Sequence, residues 1–194
     1  TGISGFDTIS GGGLPRGRTT LIVGSPGSGK TLFALQTLVH GASVLNEPGI
    51  FVAFEESPRQ VFENAAACGW DLAALQQRKL FFFDGRLSTA VVAAGEFDVL
   101  GLLAQITAKA KEIAARRVVF DGIDVPLQLL GDEKLERREI YRIHEWLGTS
   151  GLTGIVTAKG GPGGETAPRN SFLQFMADCV IRVDQPSLKN ISAR

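Results

Sequence analysis

The sequence predicts an α/β fold in which a mostly parallel twisted sheet carries helices on both faces. Three observations predict it. Short β-branched or aromatic runs alternate with longer stretches of helical spacing, the pattern of a sheet covered by helices. A glycine-rich turn stands where the first such run gives way to the first helical stretch. Two later runs end in acids, as expected where strands deliver polar groups to one edge of an open sheet.

Taken in order, the first strand is expected at Thr19 to Val23, and the helix after the turn places Leu32, Leu35, Leu38 and Val39 on one side. A second strand is expected at Ile50 to Phe54. Ser57-Pro58-Arg59-Gln60 then announces a helix, with Ser57 as cap, Pro58 at the first helical position and Gln60 completing a capping box. Gly69 is the expected stop. Asp71 caps a short helix leading to a third strand at Leu80 to Phe83, and the Ala-, Leu- and Lys-rich stretch from Phe97 to Ala115 reads as a helix. A fourth strand, Val118 to Phe120, ends at Asp121. An amphipathic helix is expected from Glu133 to Thr149, with Leu135, Ile140, Ile143 and Leu147 toward the core and Gly151 closing it. Strand five is Gly154 to Thr157. The Gly- and Pro-rich stretch from Lys159 to Asn170 is expected to be irregular, Cys179 to Val183 to be a last strand, and Asp184 to Arg194 a turn opening another element.

A chain of 194 residues, 44% of them hydrophobic, is expected to fold as a single domain around one core. The 20 basic and 20 acidic side chains cancel, so composition offers no electrostatic footprint for nucleic acid or an anionic membrane. No apolar run reaches the roughly 20 residues that cross a bilayer, which gives the expectation of a soluble, cytoplasmic protein. Cys68 and Cys179 stand alone, without metal-ligand spacing, and are expected to be buried.

The turn itself reads Gly24-Ser25-Pro26-Gly27-Ser28-Gly29-Lys30-Thr31, followed by Leu32, and matches the P-loop pattern G-x-x-x-x-G-K-S/T at every fixed position. Backbone N–H groups at the positive end of a helix are suited to hold the phosphates of ATP or ADP. Lys30 is placed for the β and γ phosphates and the Thr31 hydroxyl for a magnesium ion. Asp121, delivered by the strand before it, is the natural second magnesium ligand, directly or through water, with Asp124 as the weaker alternative. Glu55 and Glu56 end the second strand. Either carboxylate at that place can orient or deprotonate the water that attacks the γ-phosphate, and the sequence does not rank them.

The whole pattern resembles the KaiC family of circadian clock ATPases, within the RecA-like superfamily, and specifically the first of the family's two tandem domains. The resemblance spans nearly the whole chain. It is carried by Thr1-Gly2-Ile3-Ser4-Gly5-Phe6-Asp7, Gly12-Gly13-Leu14-Pro15-Arg16-Gly17, Glu47-Pro48-Gly49-Ile50-Phe51-Val52-Ala53-Phe54-Glu55-Glu56, Gly69-Trp70-Asp71-Leu72, Asp121 and Arg137-Arg138-Glu139. It implies a RecA-like P-loop core, ATP between adjacent subunits of a hexameric ring, Glu55 and Glu56 as catalytic acids, and Thr31 with Asp121 at the magnesium. It also implies clock or signalling proteins as partners, and a Ser/Thr autokinase activity residing in a second domain.

The chain departs from that pattern in three places. The paired phosphate acceptors of the family's second domain have no counterpart in Gln174-Phe175-Met176-Ala177-Asp178. The family's basic residues that reach a neighbouring subunit's ATP would lie beyond Arg194, so a chain cut there is expected to turn over weakly and assemble poorly. Lys159 stands where the resemblance gives an acid, and as a strand-end lysine it is either a solvated loop residue or a γ-phosphate sensor.

Other residues carry weaker signals. His40 and His144 lack ligand partners at metal spacing. Trp70 reads as a core anchor or an interface residue, Arg137 and Arg138 as a helix face pairing with Glu133, Glu136 or Glu139 or as groups acting across a subunit boundary, and Arg169 as part of a loop able to close on a ligand. Two other functions share this kind of core: a DNA-dependent motor and a nucleotide-dependent scaffold. Against the first, the stretch from Lys159 to Asn170 offers only Lys159 and Arg169 as cations and no aromatic platform, so nucleic acid is not an expected partner.

Overall fold

In a computed structural model, which describes residues 1–87, 98–160 and 171–184 together with the backbone of 187–188 and 191–192, the alternation resolves into a six-stranded sheet. The elements run α1 (Ser4–Ile9), β1 (Thr19–Gly24), α2 (Lys30–Ser43), β2 (Gly49–Ala53), α3 (Pro58–Ala67), α4 (Leu72–Gln76), β3 (Leu80–Asp84) and α5 (Val99–Glu112). They continue with β4 (Arg117–Asp121), α6 (Asp124–Leu129), α7 (Glu133–Ser150), β5 (Thr153–Lys159), α8 (Ser171–Phe175) and β6 (Cys179–Val183), then the short pair β7 (Ser187–Leu188) and β8 (Ile191–Ser192). The strand order is β3-β2-β4-β5-β1-β6, and every pairing in it is parallel. This is the RecA-like P-loop NTPase fold.

The central strands are buried on both faces, as parallel strands with helical crossovers must be, so their side chains divide between two cores. Leu21, Val23, Ile50, Val52, Val118, Phe120 and Val156 pack with α5 and α7 on one face. Ile22, Phe51, Ala53, Val119 and Ile155 pack with α2, α3 and α4 on the other. One strand thus supplies both cores through its period of two.

The expected caps are present. Ser57 and Gln60 form the capping box of α3, Asp71 accepts from the Ala74 N–H, and Gly151 closes α7 at φ 71°. The helix expected from Phe97 runs Val99–Glu112 under an Asp98 cap, while Phe97 lies outside the described residues. Within α2, Leu35 and Leu38 are fully buried, but Leu32 is exposed, because the first turn of the helix faces the cleft instead of the core. Ile140, Ile143 and Leu147 of α7 are buried and Leu135, near its start, is only half-buried. Trp70 is half-buried against the second core.

Several expectations need correction. Cys68 is exposed and Cys179 half-buried, because the first caps the end of α3 at the surface and the second opens the edge strand β6. Lys159 is the last residue of a strand, not the first of a loop. The rest of that Gly- and Pro-rich stretch, Arg169 included, lies outside the described residues, as does most of 184–194. Three short helices, α1, α6 and α8, were not foreseen. Neither α1 nor α6 has a side-chain cap, and each spans six residues, too few for a helical period to show. Instead α1 is held by tertiary contact, Phe6 meeting Phe33 of α2 edge-on at 5.0 Å.

Candidate functional site

The strand order decides where the site lies. β5 sits between the strand that precedes the P-loop and the strand that ends in Asp121, while β2 flanks β4 on the far side. All the C-terminal ends emerge at one edge, bringing Gly24, Glu55, Asp121 and Lys159 around one cleft. Its volume is about 410 Å³, and Pro26, Gly27, Gly29, Lys30, Thr31, Leu32, Glu55, Glu56, Asp124 and Lys159 are among the residues that line it.

The loop folds over the start of α2, whose N-cap Gly29 is left-handed at φ 95°. A Cβ at Gly24 would collide with the Val183 carbonyl oxygen and with Ser28 Oγ, so only glycine lets β6 and the loop close on each other there. Lys30 Nζ donates to the carbonyl oxygens of Gly24 and Ser25 at 3.0 and 2.9 Å, folding the side chain back across its own loop. Burial lowers the Lys30 pKa, opposed by the carboxylates of Glu55, Asp121 and Asp124.

Thr31 and Asp121, 90 residues apart in sequence, meet: Thr31 Oγ1 donates to the Asp121 carboxylate, 3.1 Å from each oxygen. Thr157 of β5 donates to Asp121 Oδ1 at 2.7 Å and accepts the Gly122 N–H at 2.8 Å. Asp121 is 2% exposed, and burial pushes its pKa up to about 6 despite the two hydroxyl donors. Among the described residues its carboxylate is hydrogen-bonded by two hydroxyls, with the Lys30 ammonium near enough to act on it, and a buried acid so placed suits a cation. Asp124 Oδ1 accepts the Lys159 N–H, whereas its buried Oδ2 and the buried Ser28 Oγ have no hydrogen-bond partner among the described residues.

These features fit magnesium and a polyphosphate. Among the described residues no group of three or more His, Cys, Asp or Glu is placed to hold a metal by itself. Magnesium does not need one, since it commonly takes one or two protein oxygens and completes its shell with phosphates and water. Thr31 and Asp121 supply that kind of partial set.

The paired acids separate. Glu55 is exposed at the cleft, its Oε1 2.8 Å from Lys159 Nζ, while Glu56 Oε2 accepts from Asn64 Nδ2 of α3 at 3.0 Å. Sequence inspection missed Thr157 and Asn64 altogether, because a lone threonine or asparagine carries no motif. The pairing of Lys159 with Glu55 was equally hidden, since it depends on which strands are neighbours. Arg137 and Arg138 lie away from the cleft lining and pair with Glu133 at 2.6 Å, at the i,i+4 spacing of a helix, and with the adjacent Glu139 at 2.9 Å.

A family model described as "ATPase: KaiC" matches residues 1–194. The chain is 37% identical over 196 residues to circadian clock protein KaiC2 of Synechocystis sp., covering 100% of this chain and 34% of that protein. It is 41% identical over 183 residues to circadian clock oscillator protein KaiC of Thermostichus vulcanus, covering 93% and 35% respectively. To the protein of that name from Prochlorococcus marinus subsp. pastoris it is 40% identical, covering 93% and 36%. The chain therefore spans about a third of the length of the curated relatives it matches. With a complete P-loop on a RecA-like sheet and a family match from its first residue to its last, the chain belongs to the KaiC family of ATPases.

Proposed function

We propose that the cleft binds ATP with magnesium and hydrolyses it slowly, and that the chain corresponds to the first of two tandem ATPase domains in a ring protein of the clock type. The observation that carries this is the convergence, in one cleft, of the P-loop, the Thr31–Asp121 contact and the two strand-end acids. In this reading Gly24 through Leu32 surround the phosphates, and Lys30 exchanges its loop carbonyls for phosphate oxygens. Thr31 and Asp121 hold the magnesium ion, which when bound supplies positive charge against the charge that builds on the transferring phosphoryl group. Glu55, with Glu56 behind it, orients a water and accepts its proton.

Hydrolysis in a hexameric ring, with ATP between subunits, supplies a slow cycle that clock or signalling partners read. The autokinase activity belongs to a second domain, this chain having no acceptor pair in Gln174-Phe175-Met176-Ala177-Asp178. The test is magnesium-dependent phosphate release by wild type and by the Glu55→Gln, Glu56→Gln double variant. The double variant is expected to lose about 100-fold or more of turnover while still binding nucleotide. Undiminished turnover would remove both acids from the mechanism.

A further inference from the structure

We propose that Lys159 senses the third phosphate of a nucleoside triphosphate, resting on Glu55 until that phosphate draws it away. The inference rests on the ATP site proposed above. Three fixed points hold the lysine's backbone beside the phosphate loop. Lys159 is in register with Gly24 across the β1–β5 pairing, the Gly160 N–H donates to the Gly24 carbonyl at 2.8 Å, and the Lys159 N–H donates to Asp124 Oδ1 at 3.2 Å. From this anchored backbone a long, flexible side chain reaches across the cleft and sets its Nζ 2.8 Å from Glu55 Oε1.

The pair is built to exchange. The two side chains are 42% and 47% exposed, and ion pairs that wet contribute little to stability. A terminal phosphate carries more charge than a carboxylate and forms strong charge-assisted hydrogen bonds with an ammonium group. Lys159 and Lys30 line the same cleft, so one polyanion there can meet both. A diphosphate ends one phosphate short of this position and leaves the pair in place.

The exchange couples recognition to readiness. While Lys159 rests on Glu55, one carboxylate oxygen is occupied and closed to an attacking water. Transfer of Lys159 to the γ-phosphate frees that oxygen as the correct nucleotide arrives. The lysine is thus a discriminating ligand for triphosphate over diphosphate, and it restrains the acid next to it.

The experiment is calorimetric titration of the protein, in magnesium, with ADP and with a non-hydrolysable ATP analogue, for wild type, Lys159→Met, Lys159→Arg and Glu55→Gln. Lys159→Met is expected to weaken the analogue about tenfold and to leave ADP within about twofold, since only the third phosphate loses a partner. Lys159→Arg restores most of the loss. Glu55→Gln binds the analogue more tightly than wild type, because Lys159 no longer leaves a charged partner. A Lys159→Met variant that weakens both nucleotides alike, or neither, overturns the sensor. Hydrolysis retained by Glu55→Gln would remove that residue's catalytic role while the binding contrast still stands. A wild-type protein that binds neither nucleotide removes the ATP site and the sensor together.

Discussion

At the N-terminal edge of the sheet, Arg117 opens β4 buried, and each of its three guanidinium nitrogens has a hydrogen-bond partner. Its Nε donates to Glu47 Oε2 at 2.8 Å, its Nη1 to the Thr37 carbonyl of α2 at 2.8 Å, and its guanidinium packs where any side chain at residue 41 would stand. At the opposite end of the same strand, Asp121 is more deeply buried still, and among the described residues its carboxylate takes its hydrogen bonds from the hydroxyls of Thr31 and Thr157. Nearby, Asp124 keeps a buried oxygen without a hydrogen bond among the described residues. One end of β4 uses charge to join α2, β2 and β4. The other leaves negative charge incompletely balanced, a poor arrangement for folding and a good one for a cation and a polyphosphate. The comparison teaches that burial of a charge identifies function only when its partners are counted.

Breaking the well-paired end gives the largest effect on stability. Arg117→Ala leaves Glu47 and the Thr37 carbonyl without their donor and opens space against Gly41. It is expected to lower unfolding free energy by about 3 kcal/mol in denaturant titration, with nucleotide affinity little changed. If stability held, the guanidinium would not be the joint described above.

The opposite edit, at the other end, is expected to stabilise the nucleotide-free protein. The Asp121 pKa rises from 3.8 to about 6 on folding, so the folded state binds its proton more tightly than the unfolded state does. Stability from this group is therefore present at low pH and is lost as pH rises from about 4 through about 6. Asp121→Asn removes that loss: relative to wild type its gain should be absent near pH 4 and reach about 1–3 kcal/mol above pH 6. If the proposed site holds magnesium with ATP, wild type is expected to be stabilised by the two together and the same variant to lose that gain. Thermal melts across pH, with and without both ligands, measure the two effects. A gain independent of pH would place its origin elsewhere.

The smallest effect concerns the segment that carries the acids into α3. Ser57 accepts the Gln60 N–H and Gln60 Oε1 accepts from the Ser57 N–H, at 3.2 and 3.0 Å, immediately after Glu55 and Glu56. Ser57→Ala is expected to cost about 1 kcal/mol. Turnover should fall by no more than a few fold, because the acids are placed by β2 and not by the cap. A larger kinetic loss would show that the cap also aims the acids.

How much of this was legible beforehand varies by element. The P-loop, the strand-end acids and the capping box are local, each set by backbone or side-chain needs within a few residues, so they stand in the sequence. Cys68 and Leu32 were misjudged because residue type predicts burial on average, whereas helix ends and cleft walls expose what a mid-helix position would bury. Short α1 and α6 left no periodic signal. Thr157 and Asn64 acquire roles only through neighbours far along the chain.

By itself the sequence determined the class of fold, the phosphate loop and the candidate acids, because hydrophobic period, glycine conformations and motif spacing are properties of contiguous chain. The strand order was decided only by tertiary packing. It set β5 between the P-loop strand and the Asp121 strand, thereby joining Thr31 to Asp121 and Lys159 to Glu55. Contacts of that kind depend on which buried faces fit together across the sheet, and no run of adjacent residues encodes them.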